Sequence, residues 1–66
     1  MKTQYDPQTD TLIITLRDAK IRESDEIRPG VIADFAADGG VVRFEVLQAS
    51  TVVDQASEMQ FELATA

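Results

Sequence analysis

The sequence predicts a mostly β fold of the α+β class. The expected form is a small antiparallel β-meander of about five or six short strands, with one short C-terminal helix followed by a final strand. Three observations predict it. Apolar and polar residues alternate in residues 11–17, 31–35, 41–46 and 58–63, the period of a strand with one buried face. The reversal pairs Asp6-Pro7, Pro29-Gly30 and Asp38-Gly39 punctuate these runs. Only "QASTVVDQAS" changes to helical spacing.

Met1 to Tyr5 is a short strand with Thr3 and Tyr5 on one face. Asp6 opens a turn by accepting from the backbone two residues on, and Pro7 presets φ for the next position. Returning along "TLIITLR", Leu12, Ile14 and Leu16 share a face. Tyr5 opposite Leu12, Thr3 opposite Ile14 and Met1 opposite Leu16 is the register that keeps apolar residues together. In "IRESDEIR", Glu23 and Asp25 interrupt the face shared by Ile21 and Ile27. Charges there fit an edge or bulged strand. Pro29-Gly30 then permits a tight reversal.

"VIADFAADGGVVRFEV" is the clearest hairpin. A type I′ turn centred on Asp38-Gly39 sets Phe35 opposite Val42, Ala33 opposite Phe44 and Val31 opposite Val46. Asp34 then pairs with Arg43 on the other face, a cross-strand ion pair worth up to roughly 1 kcal/mol. A G1 bulge at Gly39 or Gly40 is the rival geometry. Beyond it, Ala49, Val52, Val53 and Ala56 follow helical spacing, with Ser50 or Thr51 as cap. The β-branched pair limits that helix to two turns. In "EMQFEL", Met59, Phe61 and Leu63 alternate with Glu58, Gln60 and Glu62, a half-buried strand that must find a partner within or between chains. Phe35, Phe44 and Phe61 are expected in the core.

A chain of 66 residues makes one domain, 1–66, which buries only about 60 % of its unfolded surface. Such a domain usually leans on disulfides, a metal or self-association. There is no Cys and no His, so homo-oligomerisation, a dimer in the simplest case, is the expected route. The net charge of −6 repels a phosphate backbone and permits a basic partner protein. Without a signal-like or membrane-length apolar run, a cytoplasmic location is expected, with no membrane partner.

Catalytic readings are weak. Glu23-Ser24-Asp25-Glu26 lacks calcium-loop spacing, and its carboxylates alternate sides on a strand. Asp6 and Asp10 could meet as an acid/base pair, but turn chemistry explains both, Asp10 as a cap on loop amides. Ser24, Ser50 and Ser57 have no His to activate them. Gly39-Gly40 is a turn and not a phosphate loop. No catalytic, cofactor or metal residue is therefore assigned.

The stretches "YDPQTDTLIITL", "ESDEIRPGVIADF" and "DGGVVRFEVLQAS" resemble a bacterial family of small proteins, the domain of unknown function 2283. Its patterns are Y-D-x-x-x-D-x-L-x-I-x-L, E-x-x-P-G-V-x-x-D and D-G-x-[VL]-x-x-[IL]-E-[IV]-L-x-A-S. They fall here on Tyr5, Asp6, Asp10, Leu12, Ile14 and Leu16; on Pro29, Gly30, Val31 and Asp34; and on Asp38, Gly39, Val41, Phe44, Glu45, Val46, Leu47, Ala49 and Ser50. Phe44 departs from a smaller aliphatic residue. The resemblance brings no established activity. It does imply an arrangement beside a second small protein that looks like a toxin–antitoxin pair.

The expected function is a non-catalytic protein-interaction module acting as a homodimer, with an antitoxin-like role as its sharper form. The candidate structural or interaction positions are Tyr5, Asp6, Asp10, Pro29, Gly30, Asp34, Asp38, Gly39, Glu45, Met59, Phe61 and Leu63. The alternative is a small-ligand or divalent-metal binder, or an enzyme, using Asp6, Asp10 and Glu23 at an oligomer interface. A third reading is strand addition to a larger assembly through Glu58 to Leu63.

Overall fold

The alternating runs fold as strands β1 (Lys2–Asp6), β2 (Thr11–Thr15), β3 (Glu23–Arg28), β4 (Val31–Phe35) and β5 (Val41–Val46). A single 3-10 turn, Ala49–Thr51, follows. The structure, a computed structural model, describes residues 1–64. The strands form one antiparallel sheet in the order β1-β2-β5-β4-β3. The chain is flattened, with principal extents of 35 × 32 × 18 Å.

Strand pairing carries the alternation across the whole sheet. The rows Tyr5–Leu12–Val46–Val31 and Thr3–Ile14–Phe44–Ala33 lie on one, apolar face. The rows Lys2–Thr15–Arg43–Asp34–Ser24 and Gln4–Ile13–Glu45–Ile32–Glu26 lie on the other. The first hairpin has the expected register, with Tyr5 opposite Leu12 and Thr3 opposite Ile14. Asp6 opens its turn by accepting the Gln8 amide at 2.9 Å. β3 is both an edge strand and bulged, its register shifting between Glu26 and Arg28 with Ile27 as the extra residue. All six of its residues are exposed.

The β4–β5 connection differs from the expected two-residue turn. Gly39 N–H donates to the Ala36 carbonyl and Ala36 N–H to the Gly40 carbonyl. Gly39 has φ +84° and Asp38 has no positive φ. A type I′ turn requires positive φ at both central residues, so this is a three-residue loop with a G1 bulge at Gly39. The odd residue must be absorbed further along. Asp34 still pairs with Arg43 and Ala33 with Phe44, but Phe35 pairs with Val41 and not Val42. Val42 becomes the bulged residue; it is buried, and its carbonyl accepts from both Leu16 and Arg17.

The expected C-terminal helix does not form. Asp10's carbonyl takes the Ala49 amide at 2.8 Å and its carboxylate takes the Ser50 amide at 3.0 Å. These contacts hold one turn in place, and the β-branched pair Val52-Val53 follows directly. Gln55, at φ +50°, then redirects the chain. The expected final strand over 58–63 is also absent: those residues have no strand assignment. Phe61, expected in the core, is 77 % exposed; Phe35 and Phe44 are half-buried. The buried apolar residues are Leu12, Ala33, Val42 and Ala49, small or mid-sized side chains. The segment after the 3-10 turn crosses the apolar face, with Val53, Ala56 and Met59 facing Thr3, Leu12 and Ile14 across a groove of about 240 Å³.

Candidate functional site

Two polar constructions use four of the residues singled out in the sequence, Tyr5 and Asp10 in one and Asp34 and Glu45 in the other. The first joins the β1–β2 turn to the 3-10 turn. Asp10 sits in the left-handed region at φ +54°, a conformation that Asp tolerates better than most side chains. There its carboxylate accepts the Tyr5 hydroxyl at 2.6 Å, the Ser50 hydroxyl at 2.6 Å and the Ser50 amide. The sequence predicted a cap on nearby loop amides; the capped amide lies 40 residues away. Tyr5, Asp10, Ala49 and Ser50, distant in the chain, are thus one clasp.

The clasp's acid–base properties follow from its bonds. The hydroxyls of Ser50 and Tyr5 hold Asp10 below its usual range despite partial burial. The bond to Asp10 holds the Tyr5 phenol above its ordinary value. Tyr5 therefore stays protonated and acts as a donor. Tyr5 is the only tyrosine in the chain, so its titration is read directly by ultraviolet absorbance. In Asp10→Ala the phenol is expected to titrate near the ordinary value of about 10, below the wild type. An unchanged titration curve would contradict the clasp.

The second construction lies on the polar face. Register places Asp34 on β4 between Ser24 on β3 and Arg43 on β5. Glu45, two residues after Arg43 on β5, shares that face. Asp34 is 1 % exposed. Its carboxylate accepts the Ser24 hydroxyl at 2.5 Å and Arg43 Nε at 2.7 Å. Arg43 also lies 3.8 Å from Glu45. Burial pushes the Asp34 carboxyl up, but its neighbours Glu45, Ser24 and Arg43 outweigh it and hold it low. Glu45 moves the other way, raised first by the neighbouring Asp34 carboxylate and then by burial.

The other named residues are distributed around the sheet. Asp38 is held at about 2, first by Arg17 and then by the Gly40 amide; Arg17 donates to it at 2.6 Å. Pro29 and Gly30 make the β3–β4 turn. Gly30 has φ +79°, and its carbonyl takes the Leu47 amide at 2.8 Å. Met59, Phe61 and Leu63 are exposed, with Met59 sulfur accepting the Thr3 hydroxyl at 3.1 Å. Asp6, Asp10 and Glu23 are not brought together within one chain, because β1 and β3 are opposite edges. Among the described residues, no three His, Cys, Asp or Glu side chains gather as a metal-binding group.

Sequence reasoning paired Asp34 with Arg43 but did not join Ser24 and Glu45 to them. Glu45 was within reach, since i and i+2 on a strand share a face. Ser24 required the β3–β4 register, which the bulge at Ile27 obscures.

As chemistry, both constructions are saturated. Among the described residues, no buried side-chain nitrogen or oxygen lacks a partner. A concavity of about 480 Å³ lies beside Lys2, Arg17 and Arg43. Both of its guanidinium groups are already engaged, by Asp38 and Asp34. No helix among the described residues is long and apolar enough to cross a membrane.

The signature residues thus fall at the clasp, the carboxylate pair and the turns, and the sequence profile of one family covers them. That family, described as "Protein of unknown function (DUF2283)", matches residues 2–50. The chain belongs to it. No curated protein and no solved structure shows significant similarity to the chain. The family match takes in the sheet, the clasp and the carboxylate pair, and it stops before the exposed segment 58–63.

Proposed function

We propose that this protein is a non-catalytic protein-interaction module that works as a homodimer. The supporting observation is a mismatch between surface and size. Folded monomers of 7.3 kDa expose roughly 4,200 Å² by the usual mass scaling, whereas this chain exposes 5330 Å². The difference of about 1,100 Å² is more than the roughly 800 Å² each partner loses in an ordinary protein interface. The radius of gyration agrees: 12.8 Å against about 11 Å for a compact chain of this length. A second copy is the partner that supplies the missing layer most directly. Saturated polar clusters add support, since a binding site for a small substrate needs groups left free to meet it.

In its sharper form, the module is an antitoxin-like partner of a small basic protein. The exposed carboxylates of β3, Glu23, Asp25 and Glu26, together with the charge of −6, favour encounter with a basic surface. The test has two parts. Light scattering on the purified chain at tens of micromolar is expected to give twice the monomer mass. Co-purification from the native host is expected to return the product of the adjacent gene in fixed stoichiometry, with capture weakening in high salt. A monomeric chain that turns over a substrate would overturn the reading.

A further inference from the structure

We infer that residues 59–63 of one copy add as an antiparallel strand to the free edge of β1 in a second copy, and that the exchange is reciprocal. The inference rests on the homodimer proposed above and names its contact.

The segment carries a strand's pattern without a strand's partner. Met59, Phe61 and Leu63 alternate with Gln60 and Glu62, and the three apolar side chains are 58 %, 77 % and 79 % exposed. Among the described residues, the backbone groups of 59–63 make no hydrogen bond. An extended segment in that state is an added strand awaiting an edge.

Only one edge of the sheet suits it. β3 is bulged at Ile27 and carries Glu23, Asp25 and Glu26, features that blunt edge-to-edge pairing and repel an acidic segment. β1 is regular and unbulged. Its apolar-face residues are Thr3 and Tyr5, and its polar-face residues include Lys2 and Gln4. Setting Phe61 opposite Thr3 puts Met59 opposite Tyr5, Gln60 opposite Gln4 and Glu62 opposite Lys2. Apolar residues then extend the apolar face, and the one charge pair is of opposite sign. Pairing stops before Glu58 would meet Asp6.

Within its own chain the segment lies over the apolar face and not beside the edge of β1, and among the described residues its backbone pairs with neither edge. The segment crosses the apolar face beneath β2 and β1, and Met59 is already at Thr3. The exposed Phe61 and Leu63 follow it. The exposed side chains of Met59, Phe61 and Leu63 are part of the surface excess described above.

Because the chain has no Cys, disulfide trapping has no background. Full-length Thr3→Cys and Phe61→Cys chains, mixed under mild oxidation, are expected to form covalent heterodimers in preference to like-with-like dimers. Phe61→Glu, which alters a side chain exposed in the single chain, is expected to convert the dimer to monomer, its circular dichroism spectrum keeping the five-stranded sheet and losing only the β signal of the added strand. If the wild type is a dimer but Phe61→Glu stays dimeric and no heterodimer is trapped, the strand exchange is wrong and the homodimer stands. An intramolecular disulfide in the Thr3→Cys/Phe61→Cys double variant would show the segment pairing with its own β1 and overturn the exchange. A monomeric wild type would overturn both.

Discussion

Asp34→Ala is expected to destabilise the fold by about 2–3 kcal/mol, measured as a shift in urea midpoint at unchanged slope. Asp34 is buried, and its carboxylate is the common acceptor for Ser24 and Arg43. Removing one partner of a fully buried ion pair typically costs about 3–5 kcal/mol, because the other charge is stranded. Arg43 is 37 % exposed, so it regains some water and turns to Glu45, which lowers the cost. Against a total stability of roughly 3–10 kcal/mol for a chain of this length, the loss is large. Asp34→Asn keeps the shape and part of the hydrogen bonding and is expected to cost less. Adding Arg43→Ala to Asp34→Ala is expected to cost less than Arg43→Ala alone, since the stranded charge is already gone. An Asp34→Ala variant within about 0.5 kcal/mol of wild type, the range of an ordinary surface substitution, would show the cluster to be incidental.

The same cluster has a pH signature. Asp34, held below its ordinary 3.8, contributes stability that is present above that value and lost as pH falls through its folded pKa. Glu45, raised above 4.5, contributes stability that is present below that value and lost as pH rises through its folded pKa. The pair therefore favours the fold most in the mildly acid range. The difference between wild type and Asp34→Ala is expected to shrink at both ends of that window.

Much of the sheet was legible because local pattern and pairing agree. Leu12 and Ile14 can meet Tyr5 and Thr3 in only one register without exposing apolar side chains. The carboxylates of β3 marked an edge because charges at Glu23 and Asp25 are affordable only where the strand faces water. The clasp was illegible for a different reason. Asp10 looked local, yet its partner Ser50 lies at the far end of the matched sequence, and no periodicity encodes a contact of that span. The failed helix has a local origin. Ala49, Val52, Val53 and Ala56 carry the right spacing, but Val52 and Val53 are β-branched and Gln55 takes φ +50°, so the turn that Asp10 caps does not propagate. Segment 58–63 shows the converse: its alternation is sound, but a strand is defined by its neighbour, and none of the chain's own edges takes it.

Leu12→Ala is expected to cost about 2–3 kcal/mol, the lower half of the range for large-to-small core changes. For a domain this small, that lowers Tm by roughly 10–20 °C. Leu12 is the largest of the buried apolar side chains, 7 % exposed, and the others are Ala33, Val42 and Ala49. It stands on β2 between Tyr5 and Val46, with Val53 and Ala56 over the groove beside it. A cavity there touches the sheet and also the segment that covers it. The value stays below the upper limit because only one layer lies over this face, and the covering segment is free to settle inward and fill part of the space. That freedom gives the experiment a second readout. Amide exchange is expected to quicken more over 47–56 than at Ala33, which is buried on the inner strand β4. Thermal melts must be compared at one protein concentration, because association adds to apparent stability by mass action. A Leu12→Ala variant that melts within about 3 °C of wild type, a loss well under 1 kcal/mol, would mean that the apolar face of the lone sheet contributes little, and that the fold is held chiefly by its hydrogen-bonded clusters.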